Sequence, residues 1–318
     1  MEFFEVSSKE PEQLRKEYDV VIIGGGPAGL TAAIYARRAG LSALVIEKDI
    51  EGGYVNLTHL VENYPGFPGV KGEELASKFV EHAKQFGAEF YNAAVTKIEV
   101  EDEIKKVILD DSKETRAKVV VVATGANPKK LGVPGEEKFN GRGVSYCATC
   151  DGYLFSGKEI VVVGGGDSAC DEAMFLANIV NKITMIQLLE TLTAAKTLQE
   201  RVLNNPKIEV WYNSTLKEIK GDDKVREVVV QNVKTGEEKI LKTDGVFIFI
   251  GLDPNSKILK GLAEIDRYGY VITDENMETK TKGIYAIGDV RQKNLRQIIT
   301  AAADAAIAIE HAAKTYFG

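Results

Sequence analysis

Val20-Val21-Ile22-Ile23-Gly24-Gly25-Gly26-Pro27-Ala28-Gly29 is a β-branched run turning through glycines into a proline-led segment, and it returns as Ile160-Val161-Val162-Val163-Gly164-Gly165-Gly166-Asp167-Ser168-Ala169. Each copy reads as a buried strand, a sharp turn and a helix. The glycines let the backbone approach a pyrophosphate, and the helix N-terminus meets its charge. The candidate contacts are Gly24, Gly26, Pro27, Ala28 and Gly29 in the first copy, and Gly164, Gly166, Asp167, Ser168 and Ala169 in the second. Ala169 stands where a third glycine is usual, a substitution the fingerprint admits. One glycine turn alone carries little weight, since such turns also join strands to helices without any ligand. The first copy adds a strand at Ala43 to Ile46 that ends on Glu47, about 20 residues beyond the loop, the spacing of a carboxylate that holds ribose hydroxyls. Between the copies lies Cys147-Ala148-Thr149-Cys150. Two dinucleotide sites flanking a close thiol pair point to electrons passing from one dinucleotide, through another, into a disulfide.

The rest of the chain alternates strand and helix. Residues 1 to 17 are charged, with room for a short helix over Pro11 to Glu17. A helix is expected over Pro27 to Ala39, ended by Gly40, and another over Glu73 to Gln85, ended by Gly87. Tyr64 to Gly69 reads as loop, and alternation near 90–119 as a small antiparallel excursion before Val119 to Ala123 rejoins the sheet. Asn127-Pro128 and Asp253-Pro254-Asn255 read as chain crossings, because proline biases its preceding residue out of helix. Between them strands are expected at Lys182 to Ile186, Val225 to Val230 and Val246 to Ile250; beyond them come Tyr270 to Thr273, Gly283 to Ile287 and an alanine-rich helix over Leu295 to Lys314. The expected fold is α/β: two Rossmann-like dinucleotide-binding domains with parallel sheets, residues 128–254 inserted into a domain of 1–127 and 255–318.

Composition narrows the class. A 318-residue chain with 44% hydrophobic content can build a core in each domain. A net charge of −7 argues against a nucleic-acid surface, which needs a basic stripe. Met1-Glu2-Phe3-Phe4-Glu5 lacks the basic start and apolar core of a signal peptide, and the most apolar runs are too short to span a bilayer. A cytoplasmic protein without membrane or nucleic-acid partners is expected.

Three cysteines do not make a secreted disulfide framework. A closed zinc site needs four ligands, and the chain offers no second close Cys pair, only scattered His59, His82 and His311, so no metal is expected. A cycling dithiol remains, one thiol of which a nearby helix N-terminus would acidify. Asp151, next in sequence, either exchanges a proton with the departing thiolate or caps that helix. Cys170 reads as a small buried filler. Gly288-Asp289 at a strand end, shortly before Leu295-Arg296-Gln297-Ile298, is a further candidate contact. An acid there would accept hydrogen bonds from a flavin's ribityl chain, and the helix would aim its positive end at the flavin pyrimidine edge. Taken alone, the segment is an amphipathic helix after an exposed turn.

Together these residues resemble the low-molecular-weight thioredoxin reductases over almost the whole chain. The resemblance rests on Gly24 to Gly29, Glu62-Asn63-Tyr64-Pro65-Gly66-Phe67, Ala123-Thr124-Gly125-Ala126, Cys147 to Asp151, Gly164 to Ala169, and Gly283 to Asp289. It implies FAD at the first site, with Gly52, Gly53, Asn63, Gly125, Gly288, Asp289, Arg296, Gln297 and Ile298 added to the loop and Glu47. It implies a nicotinamide dinucleotide at the second site, a homodimer, and reduction of thioredoxin or a glutaredoxin-like protein. Hydride would pass from nicotinamide to flavin, with Cys150 the flavin-proximal sulfur, Cys147 the interchange thiol and Asp151 the proton handler. The inserted domain would rotate about the crossings near Pro128 and Pro254. Tyr153 and Phe155 would anchor the protein substrate or else pack in the core.

The chain departs from that pattern where the family carries His-Arg-Arg and a further Arg for the 2′-phosphate of NADPH. Here stand Gln187-Leu188-Leu189-Glu190-Thr191-Leu192-Thr193. Losing two charge-assisted bonds, roughly 1.5–3 kcal/mol each, costs NADPH about a hundredfold or more. Glu190 would repel a phosphate, and Gln187 or Glu190 would accept a ribose hydroxyl, so NADH is the expected reductant. NADPH stays possible but weaker, rescued by Lys182 or Lys196. Tyr54 replaces a usual Gln after Gly52-Gly53, and Asp304-Ala305-Ala306 lacks a usual glycine. The rival readings are a same-fold reductase with another electron donor or acceptor, and a non-enzymatic flavin–dithiol sensor.

Overall fold

The first unbroken hydrophobic run forms β1 (Glu17–Ile23), which turns through the glycines into α1 (Pro27–Arg38). The computed structural model describes residues 14–58, 61 and 63–318. The chain divides into two units, Met1–Thr58 with Val70–Asn127 and Asp253–Gly318, and His59–Gly69 with Pro128–Leu252. The short helix expected over Pro11 to Glu17 lies partly outside the described residues. Its described part is not helical, because Glu17 already pairs with Arg116 in the sheet.

In the first unit β2 (Ala43–Glu47), α2 (Gly72–Gln85), β3 (Glu89–Asn92), β4 (Val95–Glu101), β5 (Ile104–Leu109) and β6 (Glu114–Val122) follow. The sheet runs β3-β2-β1-β6-β5-β4. Its β3, β2, β1 and β6 strands are parallel, while β4-β5-β6 form an antiparallel meander. Residues 90–92 of the expected excursion therefore belong to the parallel part, because α2 carries the chain across the sheet before β3. Val20 to Ile23 and Val119 to Val122 are buried on both faces, which is why they show no polar alternation.

The chain leaves through β7 (Ala126–Pro128). The second unit comprises β8 (Val144–Ser145), α3 (Ala148–Asp151), β9 (Glu159–Val163), α4 (Asp167–Ala177), β10 (Lys182–Ile186), α5 (Lys196–Leu203), β11 (Ile208–Trp211), β12 (Ser214–Gly221), β13 (Val225–Asn232), β14 (Glu238–Lys242) and β15 (Gly245–Ile248). Its parallel sheet runs β11-β10-β9-β15-β8. The strand expected at Val225 to Val230 is β13, the centre of a separate antiparallel sheet, β12-β13-β14.

The chain returns through β16 (Leu252–Pro254), which pairs with β7, so the two crossings are hydrogen-bonded side by side. Then come β17 (Glu264–Ile265), β18 (Val271–Ile272), β19 (Ile284–Ala286) and α6 (Ile298–Tyr316). β19 pairs parallel with β6. The last helix starts three residues later than its apolar pattern implied, because Gln297 and Thr300 form a capping box. Ala301, Ala305, Ala308 and Ala312 of α6 join Ala28, Ala32 and Ala36 of α1 in one core, and these small side chains let the helices approach closely. Among the described residues no helix is long and apolar enough to cross a membrane, and no acid, His or Cys cluster could hold a metal.

Glu172 on α4 supplies a stability handle in the second unit. Burial, with Asp171 beside it, pushes its carboxyl up to about 7 from 4.5. A raised acid binds its proton more tightly when folded, so stability falls as pH rises from the unfolded value through the folded one. Glu172→Gln should raise Tm by a few degrees at pH 8 and leave it unchanged at pH 4. An equal Tm at pH 8 would show that this carboxyl titrates normally.

Candidate functional site

In the first unit the loop glycines divide the work. Gly24 has φ +107°, and a Cβ there would lie 2.4 Å from the Ala123 carbonyl oxygen; one on Gly29 would lie 1.9 Å from the Gly24 oxygen. Gly26 is different, since its Cβ would meet nothing nearer than Gly53 at 4.0 Å. The first and third glycines permit the turn and the helix–strand contact, and the second keeps a side open. No side chain caps α1, so its first amides face that open side.

Other expected contacts gather around the same loop. Glu47 Oε2 accepts the Gly25 N–H at 2.7 Å, and its Oε1 accepts the Asp49 N–H at 2.9 Å. Gly52 donates its N–H to the Gly25 oxygen at 2.7 Å, and Gly53 packs on Gly26. Gly125 has φ +65° and an open Cβ side, just beyond the Ala123 carbonyl that crowds Gly24. Gly288 reaches Ala28, where an added Cβ would lie 3.0 Å from the alanine methyl. Asn63 belongs to a different segment. It is exposed in the segment that groups with the other unit. Tyr54 is half exposed in the 3-10 turn after Gly52.

Two polar atoms here test whether a flavin dinucleotide fits. Asp289 Oδ1 and Arg296 Nε are buried and have no hydrogen-bond partner among the described residues. Burial pushes the Asp289 carboxyl up, against the pull of Lys293 and Arg296. The nearest cation, Lys293 Nζ, stands 3.9 Å from Oδ1. Buried polar atoms are normally satisfied, so an acceptor and a donor left over beside an open glycine loop suit a ligand rich in hydroxyls. The Arg296 guanidinium stacks 3.9 Å over the Tyr270 ring. Gln297, expected to touch the ligand, uses its side chain to cap α6 ahead of Ile298, the helix's first residue.

The second unit repeats the loop. Gly164 has φ +132°, with a Cβ position 2.3 Å from the Phe249 oxygen, and Gly166 keeps an open side with Thr193 Oγ1 at 3.8 Å. Ala169 is buried in the third glycine's place, while Ser168 is exposed at the start of α4. Asp167 is engaged, its Oδ1 accepting the Ala195 N–H at 2.7 Å. Gly24 N–H bonds the Ile46 oxygen at 2.9 Å and Gly164 N–H the Ile186 oxygen at 3.0 Å, so Gln187 occupies the position of Glu47. It is buried against Gly165, and its Nε2 donates to the Thr191 oxygen at 2.8 Å.

Glu190 is exposed and paired with Lys234 Nζ at 2.9 Å, which holds its carboxyl below the usual range. That lysine comes from the β13–β14 turn, and no spacing in the sequence announces it. Lys182 cannot serve as expected. It opens β10, roughly 16 Å of strand from Gln187, and pairs with Glu209 at 3.0 Å. Lys196 stays near the loop at the start of α5, beside Ala195.

Cys147 and Cys150 form a disulfide with Cα atoms 5.3 Å apart. Edge strand β8 ends at Ser145, in register with Phe247 of β15, so the pair stands at the carboxyl edge of the sheet whose β9 ends in the second glycine loop. Cys147 is the N-cap of α3, and its Sγ accepts the Cys150 N–H at 3.2 Å, with Thr149 Oγ1 at 3.5 Å. The cap is therefore Cys147 and not Asp151. Ser145 Oγ accepts the Cys147 N–H at 3.1 Å and donates to Asp151 Oδ2 at 2.6 Å, a role that sequence reading missed. Cys170 is buried, which pushes its thiol up to about 11. Phe155 is core, edge-on to Phe247, whereas Tyr153 is 63% exposed with exposed Leu154 beside it.

Residues 18–305 match the pyridine nucleotide-disulphide oxidoreductase family. A thioredoxin reductase of Bacillus subtilis is 49% identical over 296 residues, 93% of this chain and 93% of its own length. One from Treponema pallidum is 46% identical over 304 residues, 95% of this chain and 98% of its own. The crystal structure of a Streptococcus pyogenes thioredoxin reductase superposes with a TM-score of 0.90 at 45% identity, covering 95% of this chain and 100% of that one.

The glycine geometry separates folding from binding. Gly26→Ala should change stability by less than about 1 kcal/mol yet weaken dinucleotide retention, because its methyl enters the open side. Gly29→Ala should destabilise by about 3 kcal/mol or more, since α1 must move off β1. Thermal unfolding and bound dinucleotide per chain read both. Equal stability losses would overturn the division.

Proposed function

The chain belongs to the thioredoxin reductase family of pyridine nucleotide-disulphide oxidoreductases, and from that premise we propose that it reduces the disulfide of a thioredoxin or glutaredoxin-like protein with electrons from NADH. The observation that carries this reading is the Cys147–Cys150 disulfide standing on the same sheet edge as the second glycine loop. FAD would be held by the Gly24–Gly29 loop, Glu47, Gly52, Gly53, Gly125, Gly288, Asp289 and Arg296, and the nicotinamide dinucleotide by the Gly164–Ala169 loop and Gln187. When bound, the two groups supply the hydride chemistry that delivers an electron pair to the disulfide.

The chain's own residues do the rest. The opened Cys147 sulfur is stabilised as a thiolate by the Cys150 N–H and the Thr149 hydroxyl, which makes it the group that attacks the partner's disulfide. Cys150 then attacks the mixed disulfide, expels the partner's second thiol and restores the Cys147–Cys150 bond. Asp151, held by Ser145, takes the proton that Cys150 must lose in that step. Tyr153 and Leu154 offer the partner an aromatic and apolar contact next to the pair. Exposed Ile299 and Ile307 on α6, with exposed Leu295 just ahead of the helix, support a homodimer.

NADH is favoured because the segment after β10 presents two exposed leucines and an acid where a 2′-phosphate needs arginines. Its kcat/KM should exceed that of NADPH about a hundredfold, and Leu188→Arg with Leu189→Arg should narrow the gap at least tenfold. A wild-type preference for NADPH would sink this assignment. Reduction by neither nucleotide would place the electron source elsewhere. Cys147→Ser should abolish reduction of the protein disulfide while NADH still bleaches the visible absorbance of bound flavin. Retained disulfide reduction in that variant would remove Cys147 from the reaction.

A further inference from the structure

One acid on the alanine-rich face of α6 has no part in either fingerprint. The side chains of Asp304 and Lys293 are each only 9% exposed. Asp304 Oδ2 accepts the Gly288 N–H at 3.0 Å and Lys293 Nζ at 2.9 Å, and its Oδ1 accepts Arg291 Nη1 at 3.1 Å. Arg291 is tied in turn to Thr273 Oγ1 through Nε at 3.1 Å. Burying a carboxylate among alanines is costly unless its oxygens are satisfied. Here both oxygens are used, and one of the bonds goes to the backbone of the residue before Asp289.

That bond bears on the ligand. Gly288 is left-handed, at φ +72°, and wedged against Ala28, so its amide has little freedom once Asp304 accepts it. Fixing this peptide fixes where the next side chain starts. Asp289 then presents a buried Oδ1 to which no described residue donates a hydrogen bond. We propose that Asp304 is a positioning residue for the flavin dinucleotide. With Arg291 and Lys293 it clamps the Gly288 amide and so holds Asp289 Oδ1 ready to accept a hydroxyl of the polyol chain. The inference rests on the reading that FAD occupies the first unit.

The test is FAD affinity of the apoprotein, titrated by quenching of flavin fluorescence, with far-UV circular dichroism as the check on folding. Asp304→Asn is nearly isosteric and should weaken FAD about tenfold, the size expected for one buried charge-assisted bond. Asp289→Asn should weaken it at least as much. Because Asp304 acts through Asp289, the double variant should bind no more weakly than Asp289→Asn alone. Losses that multiply in the double variant would overturn the proposal, as would unchanged affinity in Asp304→Asn. Should that variant not fold, Lys293→Met removes one arm of the clamp; it should weaken FAD at least threefold, and only while Asp289 is present. Unchanged affinity there counts equally against the clamp. A wild-type apoprotein that takes up no FAD would overturn the functional reading and this inference together. Normal uptake with indifferent variants would overturn the clamp alone.

Discussion

In each unit a helix must begin almost in contact with the strand that precedes it, and this closeness governs what surrounds it. A methyl on Gly29 would stand 1.9 Å from the Gly24 carbonyl oxygen, and one on Gly164 would stand 2.3 Å from that of Phe249. Only there do the uncapped first amides of α1 and α4 reach the open side of the loop. Parallel strands follow, because each return to the same sheet edge needs a crossover, and the edge collects whatever the strands carry at their carboxyl ends. In the second unit that edge carries the glycine loop, Gln187 and the redox pair.

The two loops share a backbone and differ in what is built around them. The first is enclosed by Glu47, Gly52-Gly53, Gly288 and the buried charges behind Asp289. The second has a neutral Gln187 in the acid's place and then exposed Leu188, Leu189 and Glu190. Under the proposed function the enclosed loop suits a group that stays and the exposed one a group that comes and goes. Backbone contacts to a pyrophosphate can be common to both, while the side chains set affinity and choice.

Under the proposed function the reactive sulfur is served by little apparatus. A single N–H from the partner cysteine and a threonine hydroxyl lie against Cys147, and one serine ties the preceding strand to both Cys147 and Asp151. Donors aimed at sulfur favour the charged form, which is the form that attacks. By contrast Cys170, only four residues into α4, is enclosed by apolar neighbours and kept protonated. In that reading burial and the direction of the donors separate the two kinds of cysteine.

The sequence by itself determined the parts whose cause is local. Glycines with a preceding β-branched run specify the two loops, the Cys-Ala-Thr-Cys spacing specifies a pair close enough to bond, and the prolines at 128 and 254 mark the crossings. Boundaries slipped where a distant partner intervenes. Glu17 is strand because Arg116 lies beside it, β3 is parallel because α2 precedes it, and Phe155 is core because Phe247 and Gly245 enclose it. The charge pairings were not legible either. Lys234 meets Glu190 from a turn 44 residues away, and Asp304 meets Arg291 and Lys293 only after α6 folds back on the sheet. A buried acid in an alanine-rich helix signals that a cation must be near, because an unpaired charge cannot remain there. Which cation answers it depends on long-range packing, so only the tertiary structure could decide.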